Sequence, residues 1–408
     1  MNKTLIPLLI SCTLFLLCGV HPILGDDGTG ASGKILIAVY ASGSNLETDL
    51  DLITGDIRQL VTGANSTTPD ILEVVVAYGG SQKPGWQGMK VANSSGLTTD
   101  LEDDCLGNLS HTILNYPDAN MGSADALSMF IRIVNDRYQY DRVFLILIGH
   151  GEAYTGMLTD QNHDDDPLTL PEFKSALESG GKNVELIGLD SCLMGSIEVA
   201  SAITGFADYL IASEESEPAE GWEYQTWISY LAAHPDAPIQ QHGEILLNTY
   251  LDGQGGGRTL SIMDLDEAGL VTSRLDRLAM NIIPLSETPG GYQILSQTIR
   301  DTQQFGLAGD GVLYPVTMDI SDLAINIKES SPDLQYQAQD LIAAVDTMIV
   351  RSVHNGRIPK AFGISVLSPV GITAPFYQYY RDDAAVTPSW DKFISRYLAI
   401  FPEQEGSR

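Results

Sequence analysis

Residues 142–151 read RVFLILIGHG, and residues 184–195 read VELIGLDSCLMG. Each is an apolar run of strand length that stops at a polar group beside glycine. Runs without polar alternation are strands buried on both faces, the mark of a parallel sheet covered by helices. The pattern repeats outward. Lys34–Tyr40 (KILIAVY) and Ile71–Tyr78 (ILEVVVAY) read as earlier strands, Tyr209–Ala212 and Thr259–Met263 as later ones. Helical spacing fills Leu46–Val61, Ala124–Tyr138, Leu170–Glu178 and Ile197–Ile203, while 79–122 reads as a hairpin and loops. Beyond residue 266 the chain is mainly helical, near 266–283, 290–305 and 332–352, with a strand at Ala361–Leu367. Gly253–Gly257 and Pro284–Gly291 are the candidate seams between domains. In such a sheet the functional crevice lies beyond the carboxyl ends of the strands.

The 408 residues allow one large domain or two moderate ones, at roughly 100–200 residues each. An apolar fraction of 44% with 18% charged residues is that of a core-burying globular chain. The 22 Lys and Arg against 53 Asp and Glu leave a net charge of −31. Such a surface repels nucleic-acid phosphates and anionic lipids and attracts basic peptides. Lys3, the apolar run Leu5–Val20 and Gly25 read as a secretory signal over 1–25, with an exported or cell-surface mature chain. Cys18 has some look of a lipidation site, though Leu17 stands where a small residue is wanted. Without Cys12 and Cys18 the mature chain keeps Cys105 and Cys192, which could form one disulfide unless Cys192 serves as a thiolate. Asn65, Asn93 and Asn108 head glycosylation-type triplets.

His150 and Cys192 both leave the sheet at its carboxyl edge. A thiol needs a neighbouring base to become nucleophilic near neutral pH, and histidine titrates in that range. Gly151 lets its backbone N–H approach closely, and the Cys192 N–H lies beside the nucleophile, so the two suit an oxyanion. A lone Cys after a buried strand is also an ordinary core residue, and a lone His at a strand end an ordinary capping group. The residues alone give a candidate Cys–His dyad.

IGHG (148–151) and GLDSCLMGSIEVA (188–200) resemble the clostripain family of cysteine peptidases. So do AVYASGSNLETDL (38–50) with its Asn-Leu-Glu turn, Asn120-Met121-Gly122, and the acidic loop Ser213-Glu214-Glu215 leading to Gly221-Trp222-Glu223-Tyr224. Thr259-Leu260-Ser261 and Phe362-Gly363-Ile364-Ser365 continue the likeness, which runs in order from about 34 to 400. The resemblance implies an α/β caspase-like three-layer sandwich, a mostly parallel sheet flanked by helices. The catalytic domain would occupy 26–265, with a mainly helical region at 266–408 completing or docking on it. It implies Cys192 as nucleophile, His150 as general base and acid, and Gly151 with Cys192 as oxyanion-hole donors, with no third orienting residue required. Asp190 would receive an Arg or Lys side chain, chemistry that suits a partly buried carboxylate. Glu214, Glu215 and Glu220 could add negative field there or be solvated loop charges. Trp222, Trp227 and Tyr230 would wall the cleft or fill core.

The expected protein is thus an endopeptidase acting on protein or peptide substrates, favoured as a monomer and needing no cofactor. Its rivals are a catalytically silent scaffold of the same fold and a peptidase with a non-basic preference. Residues 151–173 hold no Lys or Arg, and only Lys174 and Lys182 precede Cys192, so self-cleavage between His and Cys is not expected. The run Asp160-Gln161-Asn162-His163-Asp164-Asp165-Asp166 resembles a calcium loop but lacks the EF-hand Gly and final Glu; His163 with its neighbouring carboxylates could instead suit zinc, though with few ligands, and a solvated acidic loop is the remaining alternative.

Overall fold

The computed structural model describes residues 33–102, 106, 111–181, 183–253, 255–306, 316–370, 372 and 374–400. The expected signal segment, Cys12, Cys18, Cys105, Asn108 and Lys182 lie outside them.

In chain order the first half runs β1 (Ile35–Ser42), α1 (Ser44–Leu50), α2 (Leu52–Ala64), β2 (Leu72–Gly79), β3 (Met89–Asn93), α3 (Ser94–Glu102), β4 (Leu114–Tyr116), α4 (Ala124–Arg137), β5 (Arg142–Ile148), β6 (Met157–Asp160), β7 (Asp166–Leu168) and α5 (Leu170–Gly180). Then come β8 (Val184–Asp190), α6 (Ile197–Ile203), β9 (Ala207–Ala212), α7 (Tyr224–Ala233), α8 (Ile239–Leu251), β10 (Thr259–Asp264), α9 (Ala268–Ser286) and α10 (Pro289–Asp301). The chain closes with β11 (Gln304–Phe305), β12 (Thr317–Asp319), α11 (Ile320–Ser330), α12 (Gln335–Met348), β13 (Ile349–His354), β14 (Ser365–Leu367), α13 (Ala374–Tyr379) and α14 (Pro388–Ile400).

A nine-stranded sheet in the order β13-β10-β9-β8-β5-β1-β2-β3-β4 forms the centre. Strands β2, β1, β5, β8 and β9 are mutually parallel; on one side β3 pairs antiparallel with β2 and β4 with β3, and on the other β10 pairs antiparallel with β9 and β13 with β10. Along each parallel strand alternate side chains enter opposite layers, as the two-residue period requires. Leu36, Ala38, Leu145, Leu147, Ile187 and Leu189 pack under one layer, whereas Ile35, Ile37, Val39, Phe144 and Ile146 pack under the other. Both faces are therefore dry, and the expected α/β class with a mostly parallel sheet flanked by helices is what the chain adopts.

Several stretches differ from the sequence reading: the helix expected over 290–305 stops at Asp301 before β11, and the strand expected over Ala361–Leu367 is only Ser365–Leu367. Leu46–Val61 is two helices, because Asp51 takes a left-handed φ of 55° and breaks the ladder between α1 and α2. The segment 79–122 contains the helix α3 as well as a hairpin. The helix expected over 332–352 stops at Met348, and the β-branched pair Ile349-Val350 opens β13, which completes the sheet against β10. No helix among the described residues is long and apolar enough to cross a membrane.

Candidate active site

β5 and β8 are adjacent and parallel, with Ile148 opposite Asp190, so the residues after them emerge side by side. Gly151 makes the approach possible. A Cβ there would lie 2.4 Å from the Cys192 carbonyl oxygen and 3.0 Å from its nitrogen. After Cys192 the chain turns through Leu193, fully buried at a left-handed φ of 65°. A non-glycine residue holds that conformation only where its surroundings over-determine it. Here the Leu193 N–H donates to the Glu215 carbonyl at 3.3 Å and the Gly195 N–H to the Ser213 carbonyl at 2.6 Å. From the C-terminal region, the Ser365 N–H donates to the Gly195 carbonyl at 2.9 Å.

A cleft of about 700 Å³ opens at this edge, lined on one side by His150, Gly151, Cys192 and Asn45, and more deeply by Asp56, Asp190 and Gly221. Cys192 is a free thiol. Its Sγ accepts the Glu217 N–H at 3.2 Å. Burial pushes the thiol above its ordinary 9.0, and the carboxylates of Asp190 and Glu215 push the same way, against the Glu217 N–H. Burial also holds the His150 imidazole below 6.5, opposed by Asp165. At rest near neutral pH the pair is therefore thiol and neutral imidazole. The imidazole Nε2 lies 2.5 Å from Asn45 Oδ1.

The deeper end is acidic and largely dry. Asp190 accepts the Tyr224 hydroxyl at 2.7 Å and the Trp222 N–H at 3.3 Å. Glu217 lies against it, its carboxyl pushed well up by burial and then by the Asp190 charge. Asp56, from α2, is raised by burial and by Asp190 and Glu47. Gly221, at a φ of 59°, stands between the two aspartates: a Cβ there would be 3.1 Å from Asp190 Oδ2 and 3.6 Å from Asp56 Oδ1. The result is a socket that can take a cation.

The structure brings His150, Gly151, Asp190 and Cys192 into one cleft. Of the three loop glutamates, Glu214 and Glu220 are engaged elsewhere, while Glu215 also acts on the Cys192 thiol through its charge. Glu214 accepts the Gly363 N–H at 2.9 Å beside Asp319, Glu215 accepts the N–H groups of Ser216 and Gly306, and Glu220 pairs with Arg258. Trp222 and Trp227 are fully buried core residues, and Tyr230 stacks on His234. Sequence reasoning missed Asn45, Asp56 and Glu217. Asn45 stands in the Asn-Leu-Glu turn; nothing local marks Asp56, and Glu217 lies within the acidic stretch between Glu215 and Gly221.

In the run 160–166, Asp160 accepts the N–H groups of Met121 and Asn162, each at 2.8 Å, and Asp166 accepts the Asn120 amide. Among the described residues no three His, Cys, Asp or Glu side chains gather as a metal cage. Asp160 and Asp166 thus spend these carboxylate oxygens on the fold.

Residues 39–380 match the model of the clostripain family. Clostripain from Hathewaya histolytica is 26% identical over 441 residues, covering 91% of this chain and 81% of that protein. The fold is similar to a secreted C11 cysteine protease from Bacteroides thetaiotaomicron in complex with an irreversible peptide inhibitor (TM-score 0.64, 15% identity, 88% of this chain and 99% of that one). It is equally similar to an inactive zymogen C11 protease from Parabacteroides distasonis (TM-score 0.64, 16% identity, 90% and 99%). A free thiol on the turn after an interior strand, a histidine at the end of the neighbouring strand and a family match across most of the chain lead to one conclusion: this protein belongs to the clostripain family and is a cysteine peptidase.

Proposed function

We propose that the protein is an exported endopeptidase that cuts after Arg or Lys through Cys192 and His150. The observation that carries the specificity is the buried pair Asp190 and Asp56 flanking Gly221 at the deep end of the cleft that holds the thiol. A guanidinium or ammonium entering there would meet a carboxylate ready to ionise, a strong charge-assisted contact. The thiol proton passes to His150 as sulfur bonds to the substrate carbonyl carbon, and the Gly151 and Cys192 N–H groups receive the oxyanion. His150 returns that proton to the leaving amine as the C–N bond breaks. Water, deprotonated by His150, then hydrolyses the thioester and restores the thiol. Export rests on the basic start and apolar run of residues 1–25, and the lack of Lys and Arg in 151–173 favours a single-chain enzyme.

The test compares the mature protein with Cys192→Ala on fluorogenic peptides ending in Arg, Lys, Asp or Asn. Turnover of Arg or Lys peptides that vanishes in the variant supports the reading. Turnover of only acidic or neutral peptides overturns the specificity, and turnover by Cys192→Ala overturns the nucleophile. A secreted form whose N-terminus is Asp26 would support the export signal.

A further inference from the structure

We infer that Asn45 is a positioning residue for His150, which makes the reacting unit a thiol, an imidazole and an amide. This rests on the reading of His150 as the base. Asn45 Oδ1 sits 2.5 Å from Nε2, across 105 residues of sequence. An amide oxygen can only accept, so this contact keeps the proton on Nε2. The lone pair of the neutral ring is then on Nδ1, the atom left to take the Cys192 proton. When that proton arrives, the S–H bond is broken, Nδ1–H is formed, and the Nε2–H bond to Asn45 persists, so the imidazolium keeps its orientation through the reaction. A neutral amide does this without adding charge, which leaves His150 a base near neutral pH. An aspartate in the same place would favour the imidazolium.

The chain invests in holding Asn45 still. It lies on the short helix α1, which starts at Ser44 with a left-handed φ of 43° and is capped by the left-handed Asp51. Glu47, fully buried two residues on, accepts the Thr54 N–H at 2.8 Å and hydroxyl at 2.7 Å and pairs with Lys83, clamping α1 to α2. Thr48 donates to Gln161 at 2.8 Å and lies 2.6 Å from Ser81, and Thr159 donates to Ser44 at 3.1 Å. The Asn-Leu-Glu turn thus reads as orienter, cleft wall and anchor, since Leu46 lines the cleft.

The titratable groups sharing the cleft with His150 are Asp56 on α2, Glu152 on its own loop, Asp165 before β7, Asp190 at the end of β8, Cys192 just after it, and Glu217 after β9. All are kept in the variants Asn45→Ala, Asn45→Asp and His150→Ala. With the Arg or Lys peptide the wild type cleaves, Asn45→Ala is expected to lose about 100-fold in kcat, the scale of a misplaced reacting group, with KM within about twofold. Asn45→Asp, which keeps the shape, is expected to move the acid limb of the kcat profile to higher pH. Melting curves identify a variant that fails to fold, in which case the isosteric Asn45→Asp profile decides. A kcat for folded Asn45→Ala within about threefold of wild type, a loss carried by KM, or an unmoved acid limb in Asn45→Asp overturns the inference. If His150→Ala stays active, the base assignment itself falls. If His150→Ala is inactive and Asn45→Ala is unimpaired, only the role of Asn45 falls.

Discussion

Replacing Asp190 with Asn removes one charge from the socket and almost no volume. The amide oxygen of Asn can still accept the Tyr224 hydroxyl and the Trp222 N–H that now reach Oδ2 at 2.7 and 3.3 Å, so the wall of the cleft should stand. What disappears is the charge-assisted contact to a bound guanidinium or ammonium, worth about 1.5–3 kcal/mol. At about 1.4 kcal/mol per decade, kcat/KM for Arg and Lys peptides should fall about 10- to 150-fold. The lower part of that range is favoured by compensation. The Asp190 charge now holds the Asp56 and Glu217 carboxyls up, and its removal lets them ionise more easily. Asp56→Asn alone should therefore cost less, and the double variant more than the sum of the two single losses. The assay is kcat/KM for Arg-, Lys- and norleucine-ended peptides on wild type, both single variants and the double. A drop of less than threefold for Arg in Asp190→Asn, or an equal drop for norleucine, would refute the argument, because a charge effect cannot act on a neutral side chain.

Four further outcomes follow from the same geometry. Because burial holds His150 below 6.5 and the base must be unprotonated, kcat at saturating substrate should fall only below pH 6.5; a pH titration of kcat reads this. The empty socket holds raised carboxyls that a bound cation would ionise, so KM for Arg peptides should decrease as pH rises above the ordinary carboxylate range, which initial-rate series across pH measure. Gly151→Ala places a methyl 2.4 Å from the Cys192 carbonyl, and displacement of that backbone should cost at least about 100-fold in kcat, with circular dichroism controlling for the fold. Glu214 and Asp319 share a buried site, with Asp319 pushed up to about 7 from 3.8 chiefly by burial. The folded state then binds more protons than the unfolded one, so this contribution is full below the unfolded value and lost as pH rises through about 7. Glu214→Gln should lose less melting temperature than wild type between pH 5 and 8.5, and parallel curves would exclude the effect.

The frame was legible because five parallel strands buried on both faces must be written as apolar runs, and two of those runs ended in His150 and Cys192. The rest depended on where side chains point, which composition does not encode. Glu214, Glu215, Glu217 and Glu220 share one acidic loop, yet only Glu217 turns to Asp190, while Glu220 turns to Arg258 and Glu214 to the C-terminal region. Asn45 and Asp56 read as parts of one helix until the left-handed Asp51 separates them onto two helices that both line the cleft. Helical spacing survives such a break, because each half keeps its own apolar face, so periodicity alone could not place it.

The C-terminal region carried no chemical motif, and the structure gives a physical reason for its presence. A buried leucine at a φ of 65° next to the nucleophile costs of order 1–3 kcal/mol and must be held by its neighbours. Much of that holding comes from beyond residue 316. The Ser365 N–H and hydroxyl both donate to the Gly195 carbonyl, at 2.9 and 3.2 Å. The Leu367 N–H donates to Glu198 at 2.9 Å, just into the helix that follows the turn, and the Gly363 N–H donates to Glu214 on the opposite strand end. β14 thus ties together the segments after β8 and β9, whose backbones already bond at Gly195 and Ser213. Loosening it would let Leu193 relax toward ordinary backbone and swing Cys192 away from the Glu217 N–H. Ser365→Ala removes only the longer of the two bonds to Gly195, so its effect on kcat should be small. Ser365→Pro removes the N–H as well and should lower kcat far more, at unchanged KM. If both variants cleave the wild-type substrate at the wild-type rate, the turn is stable without its clamp, and the late strand serves the fold alone.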